Sequence, residues 1–180
     1  MSRGGDKLER ALSGFGIDPA GHVAVDLGAN VGGFTDCLLQ HGADRVYAVE
    51  TGYGVLEWKL RQDERVVVME RTNALHVVLP EPVDLVVADV GWTSVLKYVS
   101  GALAHLKVDG HCIALLKPQY EVGRDDLVDG HVESARVEEI LESVITELEQ
   151  MGCFVTGQLD PGLELRGRNT ERFLMVGAGV

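Results

Sequence analysis

Apolar residues fall along this chain in two patterns. Val23-Ala24-Val25-Asp26-Leu27, Val46-Tyr47-Ala48-Val49, Val66-Val67-Val68-Met69, Asp84-Leu85-Val86-Val87-Ala88 and Cys112-Ile113-Ala114-Leu115-Leu116 are short, nearly continuous apolar runs bounded by turn-forming residues. That is the signature of strands buried on both faces. Between them the spacing lengthens: Phe34, Cys37 and Leu38 predict a helix over 34–40, with Gly42 as its stop. Further helices are predicted over 55–61 and 94–106. From about 134 to 151, Val137, Ile140, Leu141, Val144, Ile145 and Leu148 share one face of a long acidic helix. Two late strands, 153–158 and 172–176, complete the pattern, whose first assigned element begins at Val23.

Seven strands alternating with helices predict an α/β fold, a mostly parallel seven-stranded sheet with helices on both faces and residues 1–180 as one domain. In such sheets ligands bind at the carboxyl ends of the strands, near the reversal of strand order. Four strand ends carry ionisable side chains: Asp26, Glu50, Asp89 and Lys117.

Composition narrows the class. With 46% hydrophobic and 24% charged residues in 180, enough apolar surface exists to offset ordering entropy. No apolar run approaches the length of a membrane span, and Met1-Ser2-Arg3-Gly4-Gly5-Asp6-Lys7 lacks the apolar core of a signal peptide. Cys37, Cys112 and Cys153 are odd in number and far apart, which favours a reducing, cytoplasmic setting without disulfides. The six histidines show no ligand spacing, so no metal is expected. A net charge of −12 argues against broad, non-specific phosphate binding. Much of it lies between Gln119 and Gln150, with ten acidic and two basic residues. Local cationic sites are left near Arg3, Lys7 and Arg10, or near Arg166, Arg168 and Arg172.

The first strand runs into Asp26-Leu27-Gly28-Ala29-Asn30-Val31-Gly32-Gly33, where glycines permit a sharp turn and close approach. The spacing is not Gly-x-Gly-x-x-Gly, which makes a dinucleotide second choice. An acidic residue ahead of the loop suits an amino group, and Glu50 at the next strand end suits a ribose diol. Together they suggest S-adenosylmethionine. The same residues also fit a tight turn with an exposed glutamate.

Longer segments carry a more specific resemblance. Ser2-Arg3-Gly4-Gly5-Asp6-Lys7-Leu8-Glu9, Gly32-Gly33-Phe34-Thr35-Asp36-Cys37-Leu38-Leu39, Gly52-Tyr53-Gly54, Trp58-Lys59-Leu60-Arg61, Val67-Val68-Met69-Glu70-Arg71-Thr72-Asn73-Ala74, Val86-Val87-Ala88-Asp89 and Lys117-Pro118-Gln119-Tyr120-Glu121-Val122-Gly123 resemble, in order, the TlyA/hemolysin-A branch of the FtsJ-like methyltransferases. The resemblance implies a Rossmann-like class I methyltransferase fold, S-adenosylmethionine as cofactor, and 2′-O-methylation of ribosomal RNA or a ribosomal particle. It carries a Lys-Asp-Lys-Glu catalytic tetrad onto Lys7, Asp89, Lys117 and Glu171, the last within Asn169-Thr170-Glu171-Arg172-Phe173. Loop and resemblance together assign cofactor contacts to Asp26, Gly28, Asn30, Gly32, Gly33, Phe34, Glu50, Thr72, Asn73 and Asp89.

Three features depart from the family pattern. The small RNA-binding domain that usually precedes this domain is expected to be absent. Gly91-Trp92 replaces Ser-Phe after the catalytic Asp, and the chain is strongly acidic. These departures keep open a small hydroxylated acceptor, or a non-catalytic module that binds the cofactor or a partner. A homo-oligomer or an accessory RNA-binding partner is compatible with either, and no membrane role is expected. Trp58 reads as packing; Trp92 reads equally as packing or as a surface for stacking on a substrate base.

Overall fold

A computed structural model describes residues 2–162 and 170–179. Its strands are β1 (Val23–Leu27), β2 (Arg45–Glu50), β3 (Val66–Glu70), β4 (Val83–Ala88), β5 (Leu106–Leu116), β6 (Cys153–Leu159) and β7 (Arg172–Ala178). They form one sheet in the order β3-β2-β1-β4-β5-β7-β6. Strands β1 to β5 are mutually parallel, and β7 pairs antiparallel with both β5 and β6. Strand order reverses between β1 and β4, which are neighbours.

The two-residue period of a strand sends alternate side chains to opposite layers. Cys112, Ala114 and Leu116 of β5 pack with Val86 and Ala88 of β4 beneath α4 (Val99–Leu103) and α5 (Val137–Gln150). Ile113 and Leu115 pack with Leu85 and Val87 on the other face, beneath α1 (Arg3–Phe15) and α2 (Gly33–Gln40). The acidic helix α5 turns Val137, Ile140, Leu141, Val144 and Leu148 inward, as its spacing predicts. The three cysteines are buried and free, and burial pushes the thiols of Cys37 and Cys112 up to about 12. Among the described residues, no helix is long and apolar enough to cross a membrane.

Several elements differ from the sequence expectation. The helix expected over 94–106 is a 3-10 turn at Val95–Lys97 followed by the short α4, and β5 begins at Leu106 instead of Cys112. An irregularity in register between Val83 and Leu85 lets the polar stretch Lys107–Gly110 run as strand. The long acidic helix begins at Val137, after a 3-10 turn at Ser134–Arg136. Arg166, Arg168 and Asn169 lie outside the described residues.

The largest departure is α1, a helix the sequence pattern does not assign. Ser2 caps it through its Oγ, which accepts from Gly5 N, and Gly16 ends it in the left-handed conformation. Leu8, Ala11 and Leu12 are buried on one face. Gly4 and Gly5 each cost a helix about 1 kcal/mol relative to alanine. Burying Leu8 and Leu12 returns about 1.5–3 kcal/mol each, so packing outweighs propensity. The loop after β1 is fitted closely to this turn: a Cβ on Gly33 would lie 2.6 Å from Ser2 Oγ and 3.2 Å from Gly4 Cα. The first turn of α1 therefore rests directly on the loop that follows β1.

A second contact shapes the loop after β2. Glu70, at the end of β3, accepts from Gly54 N at 2.9 Å, Val55 N at 3.0 Å and Leu56 N at 3.3 Å, and pairs with Arg61. The Arg61 guanidinium and the loop N–H groups hold its carboxyl down at about 2. Because the folded value lies below the ordinary 4.5, the stabilisation is complete above about pH 4.5 and is lost as pH falls through 2. Glu70→Gln sets an amide donor against one of those N–H groups. The thermal midpoint of the variant should lie below wild type at pH 6, with the gap closing as pH falls toward 2.5. Circular dichroism melts across that range measure it; a gap independent of pH would remove the Glu70 charge from this role.

Candidate active site

Parallel strands deliver their carboxyl ends to one edge of the sheet, and the predicted ionisable residues collect there. Asp26 and Gly28 lie at the end of β1, Glu50 at the end of β2, Asp89 after β4 and Lys117 after β5. Asp89 N donates to Leu27 O at 2.9 Å across the strand-order reversal. Gly28 has a φ of 86°, and a Cβ there would lie 2.6 Å from the Asp89 carbonyl oxygen. Its glycine is required by backbone meeting backbone. Gly32 likewise lacks room for a side chain because Leu60 and Leu56 fill the space.

Asp26 is fully buried. Gly32 gives α2 no side-chain cap, and Asp26 supplies one from the neighbouring strand: its Oδ2 accepts from Thr35 N at 2.9 Å and Thr35 Oγ1 at 2.7 Å. Its buried Oδ1 has no hydrogen-bond partner among the described residues. Burial pushes the carboxyl up to about 7; the Thr35 hydroxyl opposes that shift, and the charge of Asp89 adds to it. A cation beside Oδ1 would relieve both the missing bond and the raised pKa.

Glu50 is tied into two loops. Its Oε2 accepts from Asn30 N at 2.9 Å, and Oε1 from Gly52 N at 2.8 Å and Thr51 Oγ1 at 3.1 Å. Burial raises its pKa, but the N–H groups of Gly52 and Asn30 outweigh it and hold the group below the ordinary value. Glu50 is thus a carboxylate at neutral pH, with lone pairs left for a diol. Asn30 adopts a φ of 50°, the left-handed conformation that turns its N–H toward Glu50. Thr72 N donates to the Glu50 carbonyl at 3.0 Å, bringing the segment after β3 alongside. The side-chain oxygen of Asn73 accepts from Leu75 N and so serves its own turn. Phe34 is turned into the core against Phe173, with ring centroids 6.1 Å apart, which leaves its backbone as the part near the loop.

On the other side of the reversal, two lysine–carboxylate pairs share the sheet edge. Lys117 pairs with Asp89, and Lys7 pairs with Glu171. The register Leu116↔Arg172 sets Lys117 and Glu171 beside one another in sequence terms, each one residue beyond a paired position. All four side chains are at least about three-quarters buried. Asp84 lies at the far end of β4, where it accepts from Lys107 Nζ and Val23 N, so it takes no part. Among the described residues, no cluster of three or more His, Cys, Asp or Glu side chains is arranged to hold a metal ion.

Sequence reasoning assigned no role to Glu70 or Glu121, although both lie in quoted motifs. The rule that picked out Glu50, an acid at a strand end, applies equally to Glu70. Trp58 is not packed as expected: it is 73% exposed at the start of α3 (Trp58–Arg61), a single turn that buries only Leu60. Trp92 is 46% exposed in the loop after Asp89.

Known proteins similar to this chain point to one family. The chain is 47% identical to the candidate rRNA methyltransferase YqxC of Bacillus subtilis, over 71% of this chain and 47% of that protein. It is 39% identical to the 16S/23S rRNA (cytidine-2′-O)-methyltransferase TlyA of Mycobacterium tuberculosis, over 97% of this chain and 67% of that protein. It thus spans about half to two-thirds of these relatives. The structure of a candidate hemolysin from Streptococcus thermophilus superposes with a TM-score of 0.90 at 37% identity, covering 99% of this chain and 67% of that one. The FtsJ-like methyltransferase family model matches residues 1–177, and on that span of agreement the chain belongs to the FtsJ-like methyltransferase family.

Proposed function

We propose that this chain transfers a methyl group from S-adenosylmethionine to a ribose 2′-hydroxyl of ribosomal RNA. The observation that carries the reading is the pair of lysine–carboxylate contacts, Lys117–Asp89 and Lys7–Glu171, on the sheet edge that also bears Asp26 and Glu50. The relatives' rRNA methyltransferase names support the substrate class. The orphaned Oδ1 of buried Asp26 fits an ammonium group, and the ionised Glu50 fits a ribose diol, so the residues present suit this cofactor.

When bound, S-adenosylmethionine supplies an electrophilic methyl group on a sulfonium. The chain's own residues then align the acceptor oxygen and take up its proton. Lys117 is the proposed proton acceptor. Any lysine base takes up a proton only as the free amine, and here the side chain lies in contact with Asp89. That contact also favours a second role, in which Lys117 stays charged and positions the oxygen as a donor. The −12 charge makes an intact ribosomal particle or an accessory partner a better source of RNA affinity than this surface alone. Tritiated-methyl transfer to total RNA, with a metabolite extract as the second arm, tests the substrate class. Label in metabolites alone would move the reading to a small hydroxylated acceptor; cofactor binding without label in either arm would make it a binding module.

Two variants test the site. Glu50→Ala should weaken S-adenosylmethionine binding by about 1–3 kcal/mol in calorimetry, the scale of unmet charged hydrogen bonds. Glu50→Gln, which preserves some loop contacts, should lose less; preference for NAD would refute the cofactor. Lys117→Ala should keep cofactor affinity while reducing single-turnover methyl transfer by roughly 10²–10⁴-fold. Lys117→Arg should rescue little, since a guanidinium stays protonated. Wild-type turnover in the Arg variant would leave Lys117 a positioning role only.

A further inference from the structure

The loops that carry Asp89 and Lys117 are joined twice. At their base, the two side chains pair directly. Five residues further along the first loop and four along the second, they are joined again: Glu121 accepts from Ser94 Oγ and, at 2.9 Å, from Val95 N. Ser94 Oγ in turn accepts from Leu96 N at 3.1 Å and caps the 3-10 turn Val95–Lys97. The second loop is itself a tight 3-10 turn, with Tyr120 N donating to Lys117 O at 2.9 Å and Glu121 N to Pro118 O at 3.1 Å. The result is a closed ring of backbone with an ion pair at one end and a partly buried carboxylate at the other. Between the two joints lies Val90–Thr93, including the half-exposed Trp92. A Cβ on Gly91 would lie 3.5 Å from Lys117 Nζ, so this segment lies directly against the lysine.

We propose that Glu121 is a positioning residue: by holding Ser94 and Val95 it fixes the Gly91–Trp92 segment over Lys117 and keeps the acceptor side of the site in register. This inference rests on the proposed roles of Asp89 and Lys117. Burial raises the pKa of Glu121, and the bonds from Ser94 and Val95 oppose that rise; an acid in this place is costly, and a closed loop is what it secures. No bond joins Glu121 to Asp26, Glu50 or Asn30 on the proposed cofactor side, whose partners lie in α2, at the end of β2 and in the loops after β1 and β2. Its effect should therefore fall on transfer and not on cofactor binding.

The test uses Glu121→Ala, Glu121→Gln and Ser94→Ala, with in vitro transcribed 16S and 23S rRNA as substrate. Glu121→Ala should lower the single-turnover rate about 10–100-fold, the scale of a misplaced reacting group, with S-adenosylmethionine affinity changed less than about twofold. Glu121→Gln can still accept from Val95 N and should recover most of the rate. Ser94→Ala, which removes one of the two bonds, should fall between them and covers the case in which Glu121→Ala does not fold. Trp58 and Trp92 are the two tryptophans, so a Trp58→Phe background isolates Trp92 fluorescence. Loss of Glu121 or Ser94 in that background should lower Trp92 anisotropy. Unchanged rate and anisotropy, or a loss of cofactor affinity as large as the loss of rate, would overturn the inference. Lys117→Ala in the same assay separates the two readings. Full transfer in that variant would sink the role of Lys117, while the Trp92 signal would still report whether Glu121 holds the loop.

Discussion

One antiparallel strand makes this site possible. A parallel strand brings only its carboxyl end to this edge, and β1, β2, β4 and β5 do so with Asp26, Glu50, Asp89 and Lys117 at or just past their last residues. Strand β7 runs the other way between β5 and β6, so the residue that precedes it, Glu171, reaches the same edge. Glu171 then pairs with Lys7, which arrives on a helix from the other end of the chain. The contact joins residues 164 positions apart, and neither would be held without the helix docking and the strand reversal together.

The carboxylates at this edge serve the backbone as much as any ligand. Asp26 caps α2, Glu50 joins the loops after β1 and β2, Glu70 gathers three N–H groups after β2, and Glu121 joins the loops after β4 and β5. Loops at strand ends leave N–H groups without ladder partners, and a carboxylate satisfies two or three of them at once. Part of the net charge of −12 is thus structural, bound to the chain's own amides. The glycines tell a related story. Gly28 and Gly33 leave no room for a side chain because protein fills the space, so a loop that reads as a ligand cradle is also a packing joint. Through Gly33, the loop after β1 packs directly against the first turn of the helix that carries Lys7.

The strand runs, their count, the parallel α/β class and the ionisable strand ends were legible in the sequence. Each rests on local information: a buried strand is apolar along most of its length, and ligand-facing residues lie at or just past its carboxyl end. Asp26, Glu50, Asp89 and Lys117 are found by that rule, and the motifs around them point to the family. Long-range features were beyond it. Helix α1 was hidden because Gly4 and Gly5 look like loop until Gly33 is seen packed against them. The end of Asp26 that bonds Thr35, the exposure of Trp58, the start of β5 at Leu106 and the clamps of Glu70 and Glu121 depend on neighbours distant in sequence. Hydrophobic period is a property of the residue and its near neighbours, whereas the partner of a charge is a property of the packed chain, and only the tertiary structure decides it.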